Sequence, residues 1–234
     1  MTSASVPRAL SLLRALCAAL FLSHGAVAAP CPEAVVRADA GGGEKLHLVV
    51  LGTSLSAGQP WPRALASALQ TCLGRPTRVT VIAAAGMGSA WGLAQAGEVA
   101  AARPDLLLVE FATNDADLLD GVSLRRSRAQ HRALVTSLRA ERPATPIVLV
   151  SMTPVHGLRQ AVQRGRLPHY NAIYPDLATE LDAVHVDLGA AWARAARAPD
   201  WPDDAMPDGL HPRPALARRV FVPALLAALL PVLE

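Results

Sequence analysis

The sequence predicts a single α/β domain built on a five-stranded parallel sheet, and three observations support this. Five short aliphatic runs are bounded by turn signals, as expected of strands that are buried on both faces of a parallel sheet. Longer stretches with helical patterns separate these runs, which is the alternation of right-handed β-α-β crossovers. The chain has 234 residues, of which 52% are hydrophobic, and this suits one domain with a sizeable core.

The first two elements set the pattern. An aliphatic run predicts a strand over 46–51, which breaks at Gly52. A proline-rich turn then starts a helix over 61–73, because proline is tolerated in a first helical turn, and the helix ends near Gly74. This order of strand, tight turn and helix places the turn at the carboxyl end of the sheet, where open α/β sheets bind ligands.

The remaining elements continue the alternation. We predict strands over 78–83, 105–111, 147–151 and 184–187. We predict helices over 93–103, 123–141, 169–181 and 214–230. Ser123 is a suitable N-cap for the second of these helices, and Pro223 is expected to kink or split the last one. The stretch 152–168 is predicted to be a long polar loop.

The N-terminus has the pattern of a secretory signal peptide. Arg8 and Arg14 are its only charged residues, an apolar run over 15–22 follows, and Ala26-Val27-Ala28 supplies a small-x-small cleavage site. The apolar run is shorter than the about 20 residues of a membrane span. We therefore predict cleavage after Ala28, a periplasmic or secreted protein, and no stable membrane span after cleavage. The alternative is an uncleaved anchor helix.

The chain then divides into a signal peptide at 1–28, an N-terminal segment at 29–45 and one domain at 46–234. Without the signal peptide, 20 Lys and Arg stand against 19 Asp and Glu. This balance argues against a nucleic-acid partner, for which a basic patch or stripe is expected. The arginines that cluster over 125–132 have the spacing of a solvated helix face.

Two cysteines remain after cleavage, Cys31 and Cys72. Export places them in an oxidising compartment, in which disulfides persist. We predict that they form one disulfide between the mature N-terminus and the end of the first helix, and two buried thiols are the alternative. No CxxC pattern or Cys/His cluster indicates zinc, so we expect no metal site.

Four small motifs lie beside the predicted strand ends. They are Gly52-Thr53-Ser54, Gly86-Met87-Gly88-Ser89, Ala112-Thr113-Asn114-Asp115 and Asp208-Gly209-Leu210-His211. The first three follow strands one, two and three, and the fourth precedes the last helix. Because loops after successive parallel strands share one rim of the sheet, we expect the four motifs to converge.

The motifs contain the groups that a serine hydroxyl needs to attack an ester. His211 can accept the proton of Ser54, and Asp208 can orient the imidazole and stabilise its cation. The attack builds an oxyanion, which needs hydrogen-bond donors. The backbone N–H groups of Ser54 and Gly86 and the side-chain amide of Asn114 are the candidate donors.

Other residues leave alternatives open. Ser56 is a second candidate nucleophile, although Ser54 lies nearer the strand end. His156 is either a substrate contact or an exposed residue of the predicted loop, and Asp115 is expected to support its own loop. The remaining histidines show no partner in the sequence and are predicted to lie on the surface or to pack: His47, His131, His169 and His185.

The four motifs resemble the sequence blocks of the SGNH (GDSL-type) hydrolase family. Gly52-Thr53-Ser54-Leu55 resembles its Gly-Asp-Ser-Leu block, Gly86 its Gly block, Asn114 its Asn block and Asp208-x-x-His211 its last block. The resemblance runs from about Leu46 to the C-terminus. It implies a three-layer α/β/α domain with a flavodoxin-like five-stranded parallel sheet, ester hydrolysis without a cofactor, and the catalytic roles given above.

Two positions depart from the family pattern: Thr53 stands where the family usually has Asp, and Ala112 where it usually has Gly. Neither removes a catalytic atom, but both can alter a turn. The segment 86–93 is similar to periplasmic thioesterase and lysophospholipase members. The segments 110–116 and 152–157 are more similar to members assigned to exported polysaccharide or sugar esters.

The sequence therefore predicts a monomeric, exported serine esterase that hydrolyses small acyl esters through an acyl-enzyme. A small-molecule or polysaccharide ester is the expected substrate, with acetyl on carbohydrate as the favoured class. A lysophospholipase or thioesterase with a longer acyl pocket is the first alternative. An acyltransferase with the same triad and a non-catalytic carbohydrate-binding module that kept the fold are the others.

Overall fold

The computed structural model describes Cys31 and the continuous stretch from Lys45 to Leu233. The predicted signal peptide at 1–28 lies outside the described residues, as does the predicted N-terminal segment at 29–45 except for Cys31 and Lys45. All four motifs lie within the described stretch.

The sheet has five strands in the order β2-β1-β3-β4-β5, and every neighbouring pair is parallel. The strands are β1 (Leu46–Gly52), β2 (Thr77–Ala83), β3 (Leu106–Val109), β4 (Ile147–Ser151) and β5 (Val184–Asp187). The predicted fold class is thus confirmed, and the strand order is the flavodoxin-like one. β3 is shorter than the predicted stretch 105–111 because the chain turns into a one-turn helix at Ala112.

The helices cover both faces of the sheet. Within Lys45–Leu233 they are α1 (Trp61–Leu73), α2 (Ser89–Ala94), α3 (Ala96–Ala102), α4 (Ala112–Asp115), α5 (Leu124–Glu141), α6 (Gly157–Gln163), α7 (Leu167–Asn171), α8 (Ile173–Glu180), α9 (Leu188–Ala195) and α10 (Pro214–Leu233). The predicted cap of α5 is present, because the Ser123 hydroxyl accepts a hydrogen bond from the backbone N–H of Arg126 at 3.3 Å.

Several helices differ from the sequence prediction. The stretch 93–103 falls into the end of α2 and the separate helix α3, and 169–181 is divided between α7 and α8. The stretch 152–168, predicted as a loop, contains α6 and the start of α7. Helix α9 was not predicted, although its N-cap signal is present: the Asp187 carboxylate accepts from the backbone N–H of Ala190 at 2.9 Å.

Helix α10 is continuous through Pro223, so the predicted split is absent. The proline cannot donate a backbone hydrogen bond, but buried residues on both sides of it hold the helix against α1, α9 and β5. Among the described residues, α10 is also the one helix long and apolar enough to span a membrane. Its burial in the core of the domain accounts for that composition.

Alternate residues of the strands face the two helical layers. In β1, Leu48 and Val50 pack with α1, α9 and α10, whereas Val49 and Leu51 pack with α3, α5, α7 and α8. All four side chains are completely buried. This explains why β1, β3 and β4, which are buried throughout, are mainly aliphatic rather than alternating with polar residues.

The strand order creates a crevice beside β1. The chain leaves β1 for β2 on one side and then returns to β3 on the other side of β1. The connections after β1 and β3 therefore diverge to opposite faces, and this switch point is where open α/β sheets bind ligands. The motif with Ser54 follows β1, and the motif with Asn114 follows β3.

A disulfide joins Cys31 to Cys72, with their Cα atoms 5.5 Å apart. These are the two cysteines of the predicted pair. Cys72 lies in the last turn of α1 and is buried in the core, so the bridge fastens Cys31 to the helical layer.

Replacing both cysteines by serine is expected to lower the free energy of unfolding by about 2–4 kcal/mol, because the bridge closes a long loop in the unfolded chain. Urea unfolding of the wild type and the double variant, each with and without dithiothreitol, measures this. The reductant should shift the midpoint of the wild type alone. An unchanged wild-type midpoint under full reduction would contradict a stabilising bridge.

Candidate active site

Three of the predicted catalytic side chains form one chain of hydrogen bonds. The Ser54 hydroxyl lies 2.8 Å from Nε2 of His211, and Nδ1 of His211 lies 2.6 Å from Oδ2 of Asp208. A carboxylate can only accept hydrogen bonds, so Nδ1 carries the ring proton and Nε2 accepts from Ser54. In this arrangement the imidazole can take the hydroxyl proton.

The turn from Asp208 to His211 holds the acid and the base together. Oδ1 of Asp208 accepts from the backbone N–H groups of Leu210 at 3.0 Å and His211 at 2.7 Å. Partial burial raises the pKa of Asp208, but hydrogen bonds from the backbone and ring of His211 and from the backbone of Leu210 outweigh it and lower the pKa to about 2. The carboxylate therefore stays ionised at neutral pH.

Gly209 lets the neighbouring loop approach this turn. It has a φ of +74°, and a Cβ at this position would lie 2.1 Å from the carbonyl oxygen of His156. The backbone N–H of His156 in turn donates to the carbonyl of Gly209 at 2.8 Å. The His156 side chain is exposed, so this residue contacts the turn through its backbone.

The turn that carries Ser54 is held by a buried carboxyl group to which sequence analysis assigned no role. Glu110 follows β3 and is only 1% exposed. Its Oε1 accepts from the Thr53 backbone N–H at 2.6 Å and from the Ser56 hydroxyl at 2.8 Å. Burial raises the pKa of Glu110 to about 7, although hydrogen bonds from Thr53 and Ser56 act to lower it. One signal was available, a glutamate at the end of an otherwise aliphatic run.

The two candidate nucleophiles have different surroundings. Ser56 is completely buried, and its hydroxyl donates to Glu110. Ser54 is partly exposed, and its hydroxyl contacts His211. The geometry therefore favours Ser54 over Ser56.

The candidate oxyanion donors lie on loops that contact each other. Gly86 has a φ of +75°, a conformation that favours glycine. The Asn114 amide donates to the carbonyl of Met87 at 2.9 Å, which joins the loop of Gly86 to helix α4. An amide carries two N–H donors, so one remains for a ligand.

Asp115 supports both of these loops, as its predicted role requires. It is buried, and its Oδ1 accepts from the backbone N–H of Ser89 at 2.7 Å. Its Oδ2 accepts from the Ser127 hydroxyl of α5 at 2.5 Å. A Cβ on Gly88 would lie 2.6 Å from Oδ1, so a glycine is needed there for the close approach.

The prediction that His131 only packs or lies on the surface is incomplete, because this buried ring is part of a hydrogen-bond network. The Tyr174 hydroxyl accepts from the backbone N–H groups of Phe111 and Ala112, each at 3.0 Å. Its own proton goes to Nε2 of His131 at 2.8 Å, and Nδ1 donates to the carbonyl of Ser127 at 2.8 Å. Burial lowers the pKa of His131, which keeps the ring neutral. The network fixes the start of α4.

Two other histidines also have partners that the sequence did not reveal. His47 contacts the Thr80 hydroxyl and the Arg78 guanidinium, each at 2.8 Å. His185 contacts the Ser151 hydroxyl at 2.8 Å. The contacts of His47 join β1 to β2, and the contact of His185 joins β5 to β4, so both histidines support the sheet.

Two buried polar residues, Gln160 in α6 and Arg164 directly after it, connect the turn of Asp208 to α4. The Gln160 amide donates to the carbonyl of Asp208 at 3.3 Å and accepts from Arg164 at 2.6 Å. Arg164 also donates to the carbonyl of Thr113 at 3.2 Å and pairs with Asp117 at 2.7 Å. These two residues were missed because the sequence prediction treated this stretch as a loop.

The arrangement is suited to acyl transfer through a serine. It provides a hydroxyl, a base, an oriented carboxylate and nearby amide donors at one edge of the sheet. Within Cys31 and Lys45–Leu233, no group of three or more His, Cys, Asp or Glu side chains could hold a metal ion.

Comparisons with known proteins identify a family and a set of similar structures. The sequence profile of the GDSL-like Lipase/Acylhydrolase family matches residues 42–219. No significant match was found among curated proteins.

Three solved structures illustrate the likeness of the fold. A lipase/acylhydrolase from Enterococcus faecalis matches with a TM-score of 0.64 and 18% identity, over 78% of this chain and 96% of that one. Axe2, an acetylxylan esterase from Geobacillus stearothermophilus, matches with a TM-score of 0.65 and 23% identity, over 80% of this chain and 94% of that one. TesA matches with a TM-score of 0.61 and 22% identity, over 80% of this chain and 99% of that one.

Tyr174→Phe is expected to lower the free energy of unfolding by about 2–3 kcal/mol, because it leaves two buried N–H groups and one imidazole nitrogen without a partner. Tyr170→Phe is the matched control, since the Tyr170 hydroxyl makes one bond, to the carbonyl of Val122. Tyr170→Phe should lower the free energy of unfolding by about 1 kcal/mol. Chemical denaturation of both variants measures the difference, and equal losses would contradict the network.

Proposed function

The chain belongs to the GDSL-like lipase/acylhydrolase family and is a carboxylic ester hydrolase; we propose that it is an exported serine esterase that acts on small acyl esters through Ser54. The observation that carries this proposal is the pair of contacts from Ser54 to His211 at 2.8 Å and from His211 to Asp208 at 2.6 Å. Export rests on the signal-like N-terminus, which contains arginines, a short apolar run and a small-x-small site.

The proposed reaction begins at the hydroxyl of Ser54. His211 removes the proton while the oxygen attacks the ester carbonyl, and the ionised Asp208 stabilises the imidazolium that forms. The tetrahedral oxyanion accepts hydrogen bonds from the backbone N–H groups of Ser54 and Gly86 and from the Asn114 amide. Each such donor contributes about 2.7–4 kcal/mol to lowering the barrier.

The second half of the reaction reuses the same groups. The imidazolium of His211 protonates the departing alcohol, which leaves an acyl group on Ser54. His211 then activates a water molecule, and the acid product is released. An acyltransferase would use a second alcohol in place of that water.

We propose acetyl groups on carbohydrate as the substrate class. The support is the similarity of segments 110–116 and 152–157 to members assigned to exported polysaccharide or sugar esters. The acetylxylan esterase Axe2, which shares the fold at 23% identity, is in line with this assignment.

A longer acyl substrate is the second candidate, and one surface feature favours it. Four exposed aliphatic side chains lie on α6 and on the turn after α4: Leu118, Leu119, Leu158 and Val162, which are 68%, 80%, 83% and 65% exposed. The backbone N–H of Leu118 donates to the carbonyl of Gln163 at 2.8 Å, so these two segments adjoin. We call the four side chains the aliphatic rim. The rim adjoins the turn of Asp208 through Gln160.

Ser54→Ala is expected to reduce kcat for p-nitrophenyl acetate by about 10⁴- to 10⁶-fold and to abolish labelling by a fluorophosphonate, because it removes the nucleophile. Ser67→Ala, on the exposed side of α1, is the matched control and should leave both unchanged. Equal turnover by wild type and Ser54→Ala would show that another nucleophile acts. No turnover or labelling of the wild type would favour a non-catalytic binding module.

A series of p-nitrophenyl esters from acetate to dodecanoate separates the two substrate candidates. We expect the highest kcat/KM for acetate, and Leu158→Ser/Val162→Ser should leave that value unchanged. A maximum at octanoate or longer that falls selectively in this double variant would instead support a lipid substrate bound along the aliphatic rim.

A further inference from the structure

The Glu110 carboxyl group is buried beneath the turn after β1. Register places Leu51 of β1 opposite Val109 of β3, so Glu110 comes level with Gly52. A Cβ on Gly52 would lie 2.2 Å from Oε1 of Glu110. Only a glycine at this position lets the carboxyl group reach the turn.

The partners of this carboxyl group lie on both sides of Ser54. Oε1 accepts from the Thr53 backbone N–H at 2.6 Å and from the Ser56 hydroxyl at 2.8 Å. The Thr53 hydroxyl lies 3.0 Å from Oε2 and also accepts from the backbone N–H of Leu55 at 3.1 Å. The turn is therefore tied to β3 at positions before and after the nucleophile.

We propose that Glu110 is the positioning residue of the Ser54 turn: its hydrogen bonds to Thr53 and Ser56 hold the Ser54 hydroxyl within reach of His211. This inference rests on the proposed role of Ser54. Glu110 does not contact the hydroxyl itself, so it acts through the turn.

The same contacts give Thr53 a role. Its backbone N–H donates to Oε1 of Glu110 at 2.6 Å, and its hydroxyl lies 3.0 Å from Oε2. The threonine thus presents a hydroxyl donor there. In this chain the residue after β3 supplies the carboxyl group, and the turn supplies the donors.

The protonation state of Glu110 gives a readout that distinguishes it from other buried residues. Burial raises the pKa of Glu110 from 4.5 to about 7 in the folded protein. Tyr174, whose pKa is also raised, first by burial and then by Asp115, is a further titratable group near Glu110. Between pH 4.5 and about 7, Glu110 is protonated in the folded state and ionised in the unfolded state. The free energy of unfolding should therefore fall as the pH rises through this range.

The first test uses Glu110→Gln and Glu110→Met with p-nitrophenyl acetate. The Glu110→Gln variant keeps an oxygen acceptor, so its kcat should stay within about tenfold of the wild-type value. Met removes every acceptor, and the displaced turn should lower kcat about 10²-fold or more, with KM changed less than threefold. The fluorophosphonate labelling rate should fall in parallel with kcat.

The second test measures the unfolding midpoint of wild type and Glu110→Gln between pH 4.5 and 8. The wild-type midpoint should decline across this range, whereas the decline should be smaller in Glu110→Gln, which does not titrate. Glu141→Gln, on the exposed end of α5, is the matched control and should follow the wild type.

These outcomes separate the inference from the function on which it rests. Full activity of Ser54→Ala would overturn both. An inactive Ser54→Ala beside a fully active Glu110→Met would overturn the positioning role alone. If Glu110→Met does not fold, Thr53→Val and Ser56→Ala each remove one donor, and wild-type kcat in the double variant would overturn the proposal.

Discussion

The parallel pairing of β1 with β3 is the constraint on which the site depends. These strands lie at the centre of the sheet and are buried on both faces, so their ends have little freedom to move. The turn with Ser54 continues from one strand, and Glu110 and Asn114 follow the other. Two groups that are about sixty positions apart in the sequence thus meet because one hydrogen-bonded register brings the strand ends level. The aliphatic burial that stabilises the sheet also sets the geometry of the site.

Beneath the site, buried polar groups fix each loop through hydrogen bonds to backbone groups and to other side chains. Asp115, His131 and Tyr174 hold α4, while Gln160 and Arg164 connect α4 to the turn of Asp208. Buried polar groups are costly when they lack partners, so such networks specify one arrangement of the loops. The exposed tip of the site, Gly86 and the Asp208–His211 turn, is attached to this base through Asn114 and Gln160.

The sheet and the four motifs could be predicted because their signals are local. Aliphatic runs mark strands buried on both sides, and a serine, an asparagine and an Asp-x-x-His pair can be read directly from the sequence. The contacts of Glu110 with Thr53, of His131 with Tyr174 and of Arg164 with Asp117 could not, since each joins segments distant in sequence. Short helices such as α6 were missed because they cover only two turns, and their buried face is a single glutamine rather than an apolar stripe.

The pair of Thr53 and Glu110 shows why a departure from a family motif is not by itself a sign of lost activity. On our proposal, the requirement at this position is a fixed turn rather than a particular side chain. The Glu110 acceptor after β3, with donors from residues 53 and 56, would satisfy it, and Gly52 provides the space for the acceptor. The requirement therefore falls on the combination of residues 52, 53, 56 and 110. A change at one of them has to be judged together with the other three, because their hydrogen bonds share a single carboxyl group.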